Sequence, residues 1–362
     1  MSDEHKRDDV VLFAAANSGR GFANFYDDIF DREEITRRYL IKGGPGTGKS
    51  TLMRRAASEA ESKGFKVEYY KCSSDPDSLD AVIIGGRVAI MDATAPHSLD
   101  ASLPGIRDEI VDLGRFWSSD ALVARRREIE ELVEGKSSCY RGAYRLLSAA
   151  MSVDTRNREI ILPYLKRQKM RKAVQKLAKK IPNGNGYRLT VGICDSIGMK
   201  GRVHLDTFEK NAEKLYLIED MYGLGSEFLS MMAQEAVAKG NSIRVSYSPL
   251  DTSRIDALSF EESGTVFVID KGGYDGIRVG LKRFIDTSAE GLGADRGRQA
   301  KKEYRFNLKL LQGLIRSASD RLAEAGEYHF RLEDIYKKYM DFEKLELFSR
   351  EFISEAISAA KK

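Results

Sequence analysis

Residues 37–64 read RRYLIKGGPGTGKSTLMRRAASEAESKG, and this stretch decides the expected fold of the first half of the chain. The apolar run 39–41 predicts a buried strand, and the glycine-rich segment 43–48 interrupts it. Within 50–63, apolar residues recur every three or four positions, which predicts an amphipathic helix that ends at Gly64. The expected order is therefore strand, glycine loop and helix.

The glycine loop has the composition of a phosphate-binding loop. Residues 43–50, GGPGTGKS, match the pattern G-x-x-x-x-G-K-[ST] in the strand and helix context that this pattern requires. Glycines let backbone N–H groups curl around a phosphate, and the start of the helix adds its positive dipole end. We expect Lys49 to bridge the β- and γ-phosphates of ATP or GTP, Ser50 to bind Mg²⁺, and Thr51 to lie beside the α-phosphate. The predicted nucleotide-binding residues are Gly43, Gly44, Pro45, Gly46, Thr47, Gly48, Lys49, Ser50 and Thr51. The alternative is a glycine turn that matches by coincidence.

A Mg²⁺ site also needs a carboxylate at the end of a neighbouring strand. The segment RVAIMD, residues 87–92, ends an apolar run with Asp92, which we predict to be the second Mg²⁺ anchor and, with Lys49, a catalytic residue. The alternative is that Asp92 caps the next turn. No glutamate follows Asp92, so the residue that would activate water is unassigned.

Two further catalytic candidates follow strands in the same region. His97 lies just past the strand that ends in Asp92, and Asp75 follows the strand expected over 66–70. We expect Asp75, Asp77 and Asp80 on one loop at the carboxyl edge of the sheet, where ligands gather in open α/β sheets. The alternatives are a surface histidine and aspartates that form turns.

The chain contains a second, weaker copy of this pattern. The segment YLIEDMYGLGSEFL, residues 216–229, aligns with 39–52, and the apolar run 266–270 aligns with 88–92. On this alignment Asp75, Asp80 and Asp92 correspond to Asp251, Asp256 and Asp270. So many matches in the same order predict an internal duplication.

The second loop lacks the phosphate chemistry of the first. The alignment places Ser226, Glu227 and Phe228 against the lysine and the two hydroxyl residues, and Asp220 against the first glycine. A carboxylate beside a phosphate is repulsive, so we expect this loop to bind no triphosphate. The sequence therefore predicts one nucleotide per chain.

These observations predict an α/β fold of two tandem P-loop NTPase-like units, each of three layers (α/β/α) with a mainly parallel sheet and a helical extension. The boundary is expected at IPNGNG, residues 181–186, which gives a first domain at 1–186 and a degenerate second domain at 187–362.

Each half ends in a charged, helix-rich tail, at 118–181 and 298–360. The first tail contains a basic helix at 166–180, with an apolar stripe formed by Met170, Val174, Leu177 and Ile181. Its cationic face suits nucleic acid or an anionic membrane surface, and the alternative is a solvated face over a packed stripe. Three arginines at 125–127 would supply a γ-phosphate contact or, more simply, pair with glutamates along a helix.

Composition narrows the function classes. The chain has 362 residues, a formal net charge of +4, three cysteines and 42% hydrophobic residues. Its apolar runs fall well short of the roughly 20 residues of a membrane span, and its amino terminus is too polar for a signal peptide. Three scattered cysteines make neither a disulfide framework nor a zinc knuckle. We expect a cytoplasmic protein with no membrane span.

The chain resembles an uncharacterised prokaryotic family of tandem P-loop, ATPase-like proteins. The resemblance rests on LFAAANSGRGF (12–22), YLIKGGPGTGKSTLM (39–53), YYKCSSDPDSLD (69–80) and AIMDATAPH (89–97). It covers most of the first half and, more faintly, the second. It implies nucleotide binding at the first loop. Members of the family can carry a phosphate loop in both halves, a pattern from which Ser226 and Glu227 depart.

The expected activity is slow hydrolysis of ATP or GTP with Mg²⁺, coupled to a conformational change between the halves. Two alternatives stay open. The first half would transfer the γ-phosphate to a small acceptor, or the chain would be a nucleotide-gated module that binds a nucleic acid or a protein.

Overall fold

The computed structural model describes residues 10–96, 99–288 and 290–361. These residues form a mixed α/β structure with two six-stranded sheets, two two-stranded hairpins and helices of very different lengths. The predicted α/β class is confirmed.

The first half of the chain carries one large sheet, one hairpin and five helices within the described residues. In chain order the elements are β1 (Val10–Phe13), β2 (Ala15–Ser18), β3 (Gly21–Asn24), α1 (Tyr26–Phe30), β4 (Arg37–Lys42), α2 (Lys49–Ser62), β5 (Val67–Lys71), β6 (Leu79–Ile84), β7 (Val88–Asp92), β8 (Asp108–Asp112), α3 (Ser119–Val123), α4 (Arg126–Ile161) and α5 (Arg167–Ala178).

The second half repeats this series except for α3. Its elements are β9 (Leu189–Val191), β10 (Asp195–Gly198), β11 (Gly201–His204), α6 (Thr207–Lys210), β12 (Lys214–Glu219), α7 (Gly225–Ala238), β13 (Ile243–Tyr247), β14 (Ile255–Phe260), β15 (Thr265–Ile269), β16 (Ile277–Gly280), α8 (Asp295–Lys337) and α9 (Phe342–Ala360).

The two large sheets have the same strand order and the same strand directions. The first runs β1-β5-β6-β7-β4-β8 and the second β9-β13-β14-β15-β12-β16. In the first sheet β6 is antiparallel to both neighbours while the other pairings are parallel, and β14 has the same position and direction in the second. The expectation of mainly parallel sheets is therefore confirmed.

The first sheet is buried on both faces, which explains the continuous apolar run in β4. Tyr39 and Ile41 pack on one face with Leu52 and Met53 of α2, while Leu40 packs on the other face in a core shared with the second half. The predicted strand and helix are thus confirmed, and α2 begins one residue earlier than expected.

The long helices α4 and α8 lie against each other in opposite directions. Cys139 Sγ lies 3.7 Å from Glu324 Oε2, and, nearer the other end of the pair, Arg156 Nε donates to Glu303 Oε1 at 2.9 Å. The space beside Gly135 is filled by the ring of Tyr328. The helical tails predicted from the sequence therefore form one antiparallel pair that joins the halves.

The helices that follow this pair are exchanged between the halves. Met170 and Val174 of α5 belong to the core that contains Phe228 of α7, and α5 packs beside α7 in the second half. In return, the ring of Phe352 in α9 contacts that of Tyr39 in β4, with centroids 4.9 Å apart. Each of these helices therefore packs against the half on the other side of the predicted boundary at 181–186, and that boundary stays a prediction.

The end of edge strand β1 meets the segment that follows edge strand β9 at a reciprocal contact. Phe13 N–H donates to Ile193 O at 2.7 Å, and Ile193 N–H donates to Phe13 O at 3.1 Å. Helix α1 packs against β9 while α6 packs against β1. The two halves are therefore related by an approximate two-fold arrangement about this contact.

Candidate functional site

The glycine loop lies between the carboxyl end of β4 and the first turn of α2. Gly46 and Gly48 have φ values of 72° and 83°, in the left-handed region that favours glycine. Among the described side chains none caps α2, so the amides of its first turn are not held by a capping group. The loop thus has the backbone form and the free helix terminus that phosphate binding uses.

Lys49 folds back over this loop. Its Nζ donates to Gly43 O at 2.7 Å and to Gly44 O at 2.9 Å, and it lies 3.6 Å from Asp92 Oδ2. The structure therefore brings together the predicted phosphate-binding lysine and the predicted Mg²⁺ anchor.

Asp92 is the last residue of β7 and pairs with Ile41 of the adjacent strand β4. Its Oδ1 accepts from Thr94 N–H at 2.8 Å, and Thr94 Oγ1 donates to Gly43 O at 3.0 Å. Asp92 therefore forms the turn that follows its strand, as the alternative from the sequence expects, and it also faces Lys49. Its role as a Mg²⁺ anchor stays a prediction.

The hydroxyl residues of the loop have different surroundings. Ser50 Oγ accepts from Leu79 N–H at 3.1 Å, which ties the start of α2 to β6. Thr47 is buried and donates to Gly44 O at 2.9 Å, while Thr51 is exposed. Ser50 is therefore positioned by the neighbouring strand, on the same helical turn as Lys49.

Residues from the second half cover the loop. A Cβ added at Gly46 would lie 2.8 Å from Glu333 O of α8, and one added at Gly44 would lie 3.5 Å from Tyr336 Cε1. Leu345 of α9 lies against Gly48 in the same way. The sequence did not predict these contacts. The residues of α8 and α9 that make them lie almost 300 positions after the loop, and no local sequence pattern indicates such a distant contact.

The aspartates that follow β5 do not share one loop. Asp75 forms a turn, since its Oδ1 accepts from Asp77 N–H at 3.2 Å and its Oδ2 from Ser78 Oγ at 2.8 Å. Asp77 forms an ion pair with Lys200. Asp80 is buried within β6, so its expected loop position is wrong, because the turn at Asp75 starts the strand earlier. His97, the remaining catalytic candidate, lies outside the described residues.

The second copy of the loop is one residue shorter than the alignment assumed. Ser226 Oγ accepts from Ile255 N–H at 3.1 Å, the same bond that Ser50 Oγ makes with Leu79 N–H. Ser226 therefore corresponds to Ser50, and Gly225 corresponds to Lys49. The predicted match of Ser226 with Lys49 is wrong, because the deletion lies inside the loop rather than after the helix.

Strand pairing shifts the second aspartate as well. Ile41 pairs with Asp92, whereas its counterpart Ile218 pairs with Ile269. Asp270 therefore lies one position beyond the counterpart of Asp92, and it forms an ion pair with Arg278 instead. Where the first half has Lys49 and Asp92, the second half has a glycine and an isoleucine.

Asp220 occupies the second loop from within. Its Oδ1 accepts from Leu224 N–H at 2.7 Å and its Oδ2 from Gly225 N–H at 2.8 Å, at the start of α7. Burial raises the pKa of Asp220, while these two amides act in the opposite direction. An internal carboxylate thus holds the amides at the position where a phosphate would bind.

Both halves share the turn at the first aspartate. Asp251 Oδ1 accepts from Ser253 N–H at 3.3 Å and Oγ–H at 2.7 Å, in the manner of Asp75 with Asp77 and Ser78. Since the second half lacks the loop lysine, a feature common to both copies favours the turn-forming role of Asp75 over a catalytic one.

Helix α5 keeps most of its basic residues unpaired. Lys166 pairs with Asp286 and Arg167 with Glu227, at 3.2 Å and 3.0 Å. Within the described part of the chain, the remaining cations of its outer face form no ion pair; these are Lys169, Arg171, Lys172, Lys176, Lys179 and Lys180. The packed stripe is confirmed, and the outer face is a cationic surface.

The arginines at 125–127 each pair with a glutamate along the helix, at Glu128, Glu130 and Glu131. The simpler alternative from the sequence is therefore confirmed.

A cluster in the second half brings together Cys194, Asp195 and His204, whose side chains would suit a metal ion. The ring nitrogens of His204, however, lie 3.1 Å from Asp195 Oδ1 and 3.0 Å from Glu209 Oε1. Burial alone would lower the pKa of His204, but these hydrogen bonds raise it to about 11. Both ring nitrogens of His204 face carboxylates and Lys271 pairs with Asp195, so the contacts of this group are ionic.

Comparison with protein-family models, curated proteins and solved structures found no match to this chain. The family resemblance therefore stays a prediction from its motifs. Among the described residues, no helix combines the length and the apolar character needed to cross a bilayer.

Proposed function

We propose that the chain consists of two tandem P-loop NTPase-like units, of which the first binds one Mg²⁺-nucleotide and the second is degenerate. The duplication is supported by the shared strand order of the two sheets and by the equivalent hydrogen bonds of Ser50 and Ser226. The filling of the second loop by Asp220 supports a single site.

The observation that carries this proposal is the approach of Lys49 to Asp92 above a glycine loop. A lysine over such a loop binds β- and γ-phosphates, and a carboxylate on the next strand with a hydroxyl at Ser50 suits Mg²⁺. These residues would bind the phosphates and the Mg²⁺ ion but not the purine base, so ATP and GTP are both candidates.

The proposed activity is slow hydrolysis that changes the contact between the halves. Glu333 and Tyr336 of α8 and Leu345 of α9 lie directly on the loop glycines. A nucleotide entering the loop must displace or reorder these residues, and α8 connects them to the other end of the molecule. Occupancy of the site is therefore coupled mechanically to the helix pair.

A direct test measures thermal stabilisation and phosphate release on the purified protein with Mg²⁺-ATP or Mg²⁺-GTP. Binding raises the melting temperature according to the free nucleotide concentration and its Kd. The variant Lys49→Ala should lose this stabilisation, whereas Lys63→Ala, an exposed lysine at the end of the same helix, should keep it. Unchanged nucleotide affinity in Lys49→Ala contradicts the proposal.

The same assay separates hydrolysis from transfer. Phosphate release without any acceptor supports hydrolysis. Formation of the nucleoside diphosphate that requires an added small acceptor, with the phosphoryl group found on that acceptor and not as free phosphate, supports a phosphotransferase. Stabilisation without turnover supports a nucleotide-gated module, for which the unpaired cations of α5 offer a nucleic-acid surface. A cytoplasmic location and a protein partner stay part of this proposal.

A further inference from the structure

Helix α4 crosses the carboxyl edge of the first sheet. Near its start, Leu132 packs in a cluster with Trp117, whose ring would lie 3.2 Å from a Cβ added at Gly44 of the glycine loop. Two turns later, Tyr140 Oη lies 3.2 Å from Ser74 Oγ, in the loop that follows β5. One side of α4 is therefore anchored at two separate points of this edge.

Lys136 lies midway between these anchors. Strands β4 and β5 are separated by β7 and β6, so their ends are about 14 Å apart at a strand spacing of about 4.8 Å. The eight residues from Leu132 to Tyr140 rise about 12 Å along a helix, which matches this span. Since Lys136 is one helical turn from each anchor, it lies over the middle of the edge, beside the strand that ends in Asp92.

The surroundings of Lys136 suit an anion. Its side chain is half-buried, and within the described residues it forms neither an ion pair nor a hydrogen bond. Burial and the positive charge of Lys49 both lower the pKa of its ammonium group. Two ammonium groups therefore converge on one region, in which Asp92 is the acid that contacts Lys49.

We propose that Lys136 binds the γ-phosphate of the nucleotide held by the first loop, and so makes the site select a triphosphate over a diphosphate. This inference rests on the proposed nucleotide binding. Lys49 and the Mg²⁺ anchored at Asp92 both belong to the β- and γ-phosphate end of the nucleotide. A third cation that approaches this end from α4 has the γ-phosphate as its anionic partner.

The position of Lys136 also gives the helix pair a means to distinguish the two nucleotide states. Its neighbour Gly135 lies under the ring of Tyr328, so α4 is packed closely against α8 at this point. Loss of the γ-phosphate leaves Lys136 without its partner, and the repulsion from Lys49 returns.

The test compares nucleotide affinities of the wild type, Lys136→Met and Lys136→Arg by calorimetry, with Mg²⁺-ADP and a non-hydrolysable Mg²⁺-ATP analogue. Methionine keeps the length of the side chain and removes its charge. We expect Lys136→Met to lose roughly tenfold or more in affinity for the triphosphate, with ADP affinity nearly unchanged, since a charged hydrogen bond is lost. Lys136→Arg should recover part of the difference.

Two controls make the result specific. Lys309→Met removes an exposed lysine of α8 and should bind both nucleotides as the wild type does. Without nucleotide, Lys136→Met should melt no lower than the wild type, because it removes a half-buried, unpaired charge. Unchanged triphosphate affinity in Lys136→Met, or an equal loss for ADP, overturns this inference alone. A wild type that binds neither nucleotide overturns the proposed function with it.

Discussion

Lys49 Nζ lies 3.6 Å from Asp92 Oδ2, with the two side chains 14% and 16% exposed. The ammonium group proposed to bind the phosphates and the carboxylate proposed to bind Mg²⁺ thus form an ion pair at the end of β7. When Mg²⁺-nucleotide binds, the phosphates become the partner of Lys49 and the ion becomes the partner of Asp92. The ion pair is therefore expected to separate on binding, and variants of Asp92 report this exchange.

Replacing Asp92 by Asn should weaken the dependence of nucleotide affinity on Mg²⁺. The amide is a weaker Mg²⁺ ligand than a carboxylate, and the change also frees Lys49 from a competing anion. Calorimetry with Mg²⁺ and with EDTA should show roughly a tenfold smaller gain from Mg²⁺ than in the wild type. Asp270→Asn is the matched control, because Asp270 pairs with Arg278 and has no loop lysine beside it. Equal Mg²⁺ dependence in Asp92→Asn and the wild type contradicts the assignment.

Replacing Asp220 by Ala should open the second loop. The variant leaves the amides of Leu224 and Gly225 without their acceptor and should lower the free energy of unfolding by about 1–3 kcal/mol. Inorganic phosphate or sulfate should then stabilise the variant more than it stabilises the wild type, because an anion can take the place of the carboxylate. Thermal melting at matched ionic strength in chloride provides the control. If phosphate stabilises the wild type and Asp220→Ala equally, the Asp220 side chain does not occupy an anion site.

The first half was largely predictable because its chemistry is local in sequence. The segment 37–64 contains its strand, its loop and its helix in direct succession, and Asp92 ends β7, the third strand after β4. Strand pairing then brings Lys49 and Asp92 together without any long-range information beyond the parallel order of β4 and β7.

The register of the second half was less predictable. Its loop is one residue shorter than the first. The alignment hid this deletion, because Gly223 and Gly225 matched Gly46 and Gly48 when no residue was removed from the loop. Only the hydrogen bond from Ile255 N–H to Ser226 Oγ fixes the helix register. The exchange of α5 and α9 was equally invisible, because an apolar stripe shows that a helix packs and does not show on which sheet.

Reversing the charge of α5 should test its cationic surface. The triple change of Lys172, Lys176 and Lys179 to Glu alters exposed side chains opposite the packed Met170 and Val174, so folding should be retained. If the wild type binds a DNA or RNA duplex, the variant should lose most of the affinity, and the salt dependence of the remainder should be weaker. A fluorescence titration at several salt concentrations measures both.

The control for this experiment is the same triple change on α8, at the exposed residues Lys302 and Lys309 and the partly exposed Lys301. It alters the net charge by the same amount at a different surface. If both triple variants lose affinity equally, the effect comes from net charge, and α5 is not the binding surface. If the wild type shows no salt-dependent binding, the cations of α5 form a solvated face.

A buried ion pair stabilises the strand that leads into the glycine loop. Arg38 of β4 donates to Asp108 of β8 at 2.6 Å and 2.9 Å, and Asp108 also accepts from the amides of Ser102 and Leu103. Burial alone would raise the pKa of Asp108, but the hydrogen bonds from Arg38 and these neighbours hold it well below its usual range. In the second half the corresponding positions are Leu215 and Gly276, so this pair belongs to the first half alone.

Asp108→Asn should therefore lower the free energy of unfolding by as much as about 3–5 kcal/mol at pH 7, because it leaves the buried Arg38 guanidinium with only the half-exposed Asp31 carboxylate, 3.4 Å away, as a counter-charge. A folded-state pKa below the unfolded value means that the carboxylate stabilises the fold fully above about pH 4 and loses this effect as the pH falls further. The difference between the variant and the wild type, measured by denaturant unfolding, should thus be constant from pH 8 to pH 5 and shrink below pH 4. Glu109→Gln removes the partner of Arg37 at the next position, where both side chains are partly exposed, and should cost less than about 1 kcal/mol. If the two variants lose similar free energies of unfolding, the burial of the Arg38–Asp108 pair does not determine how much it stabilises the fold.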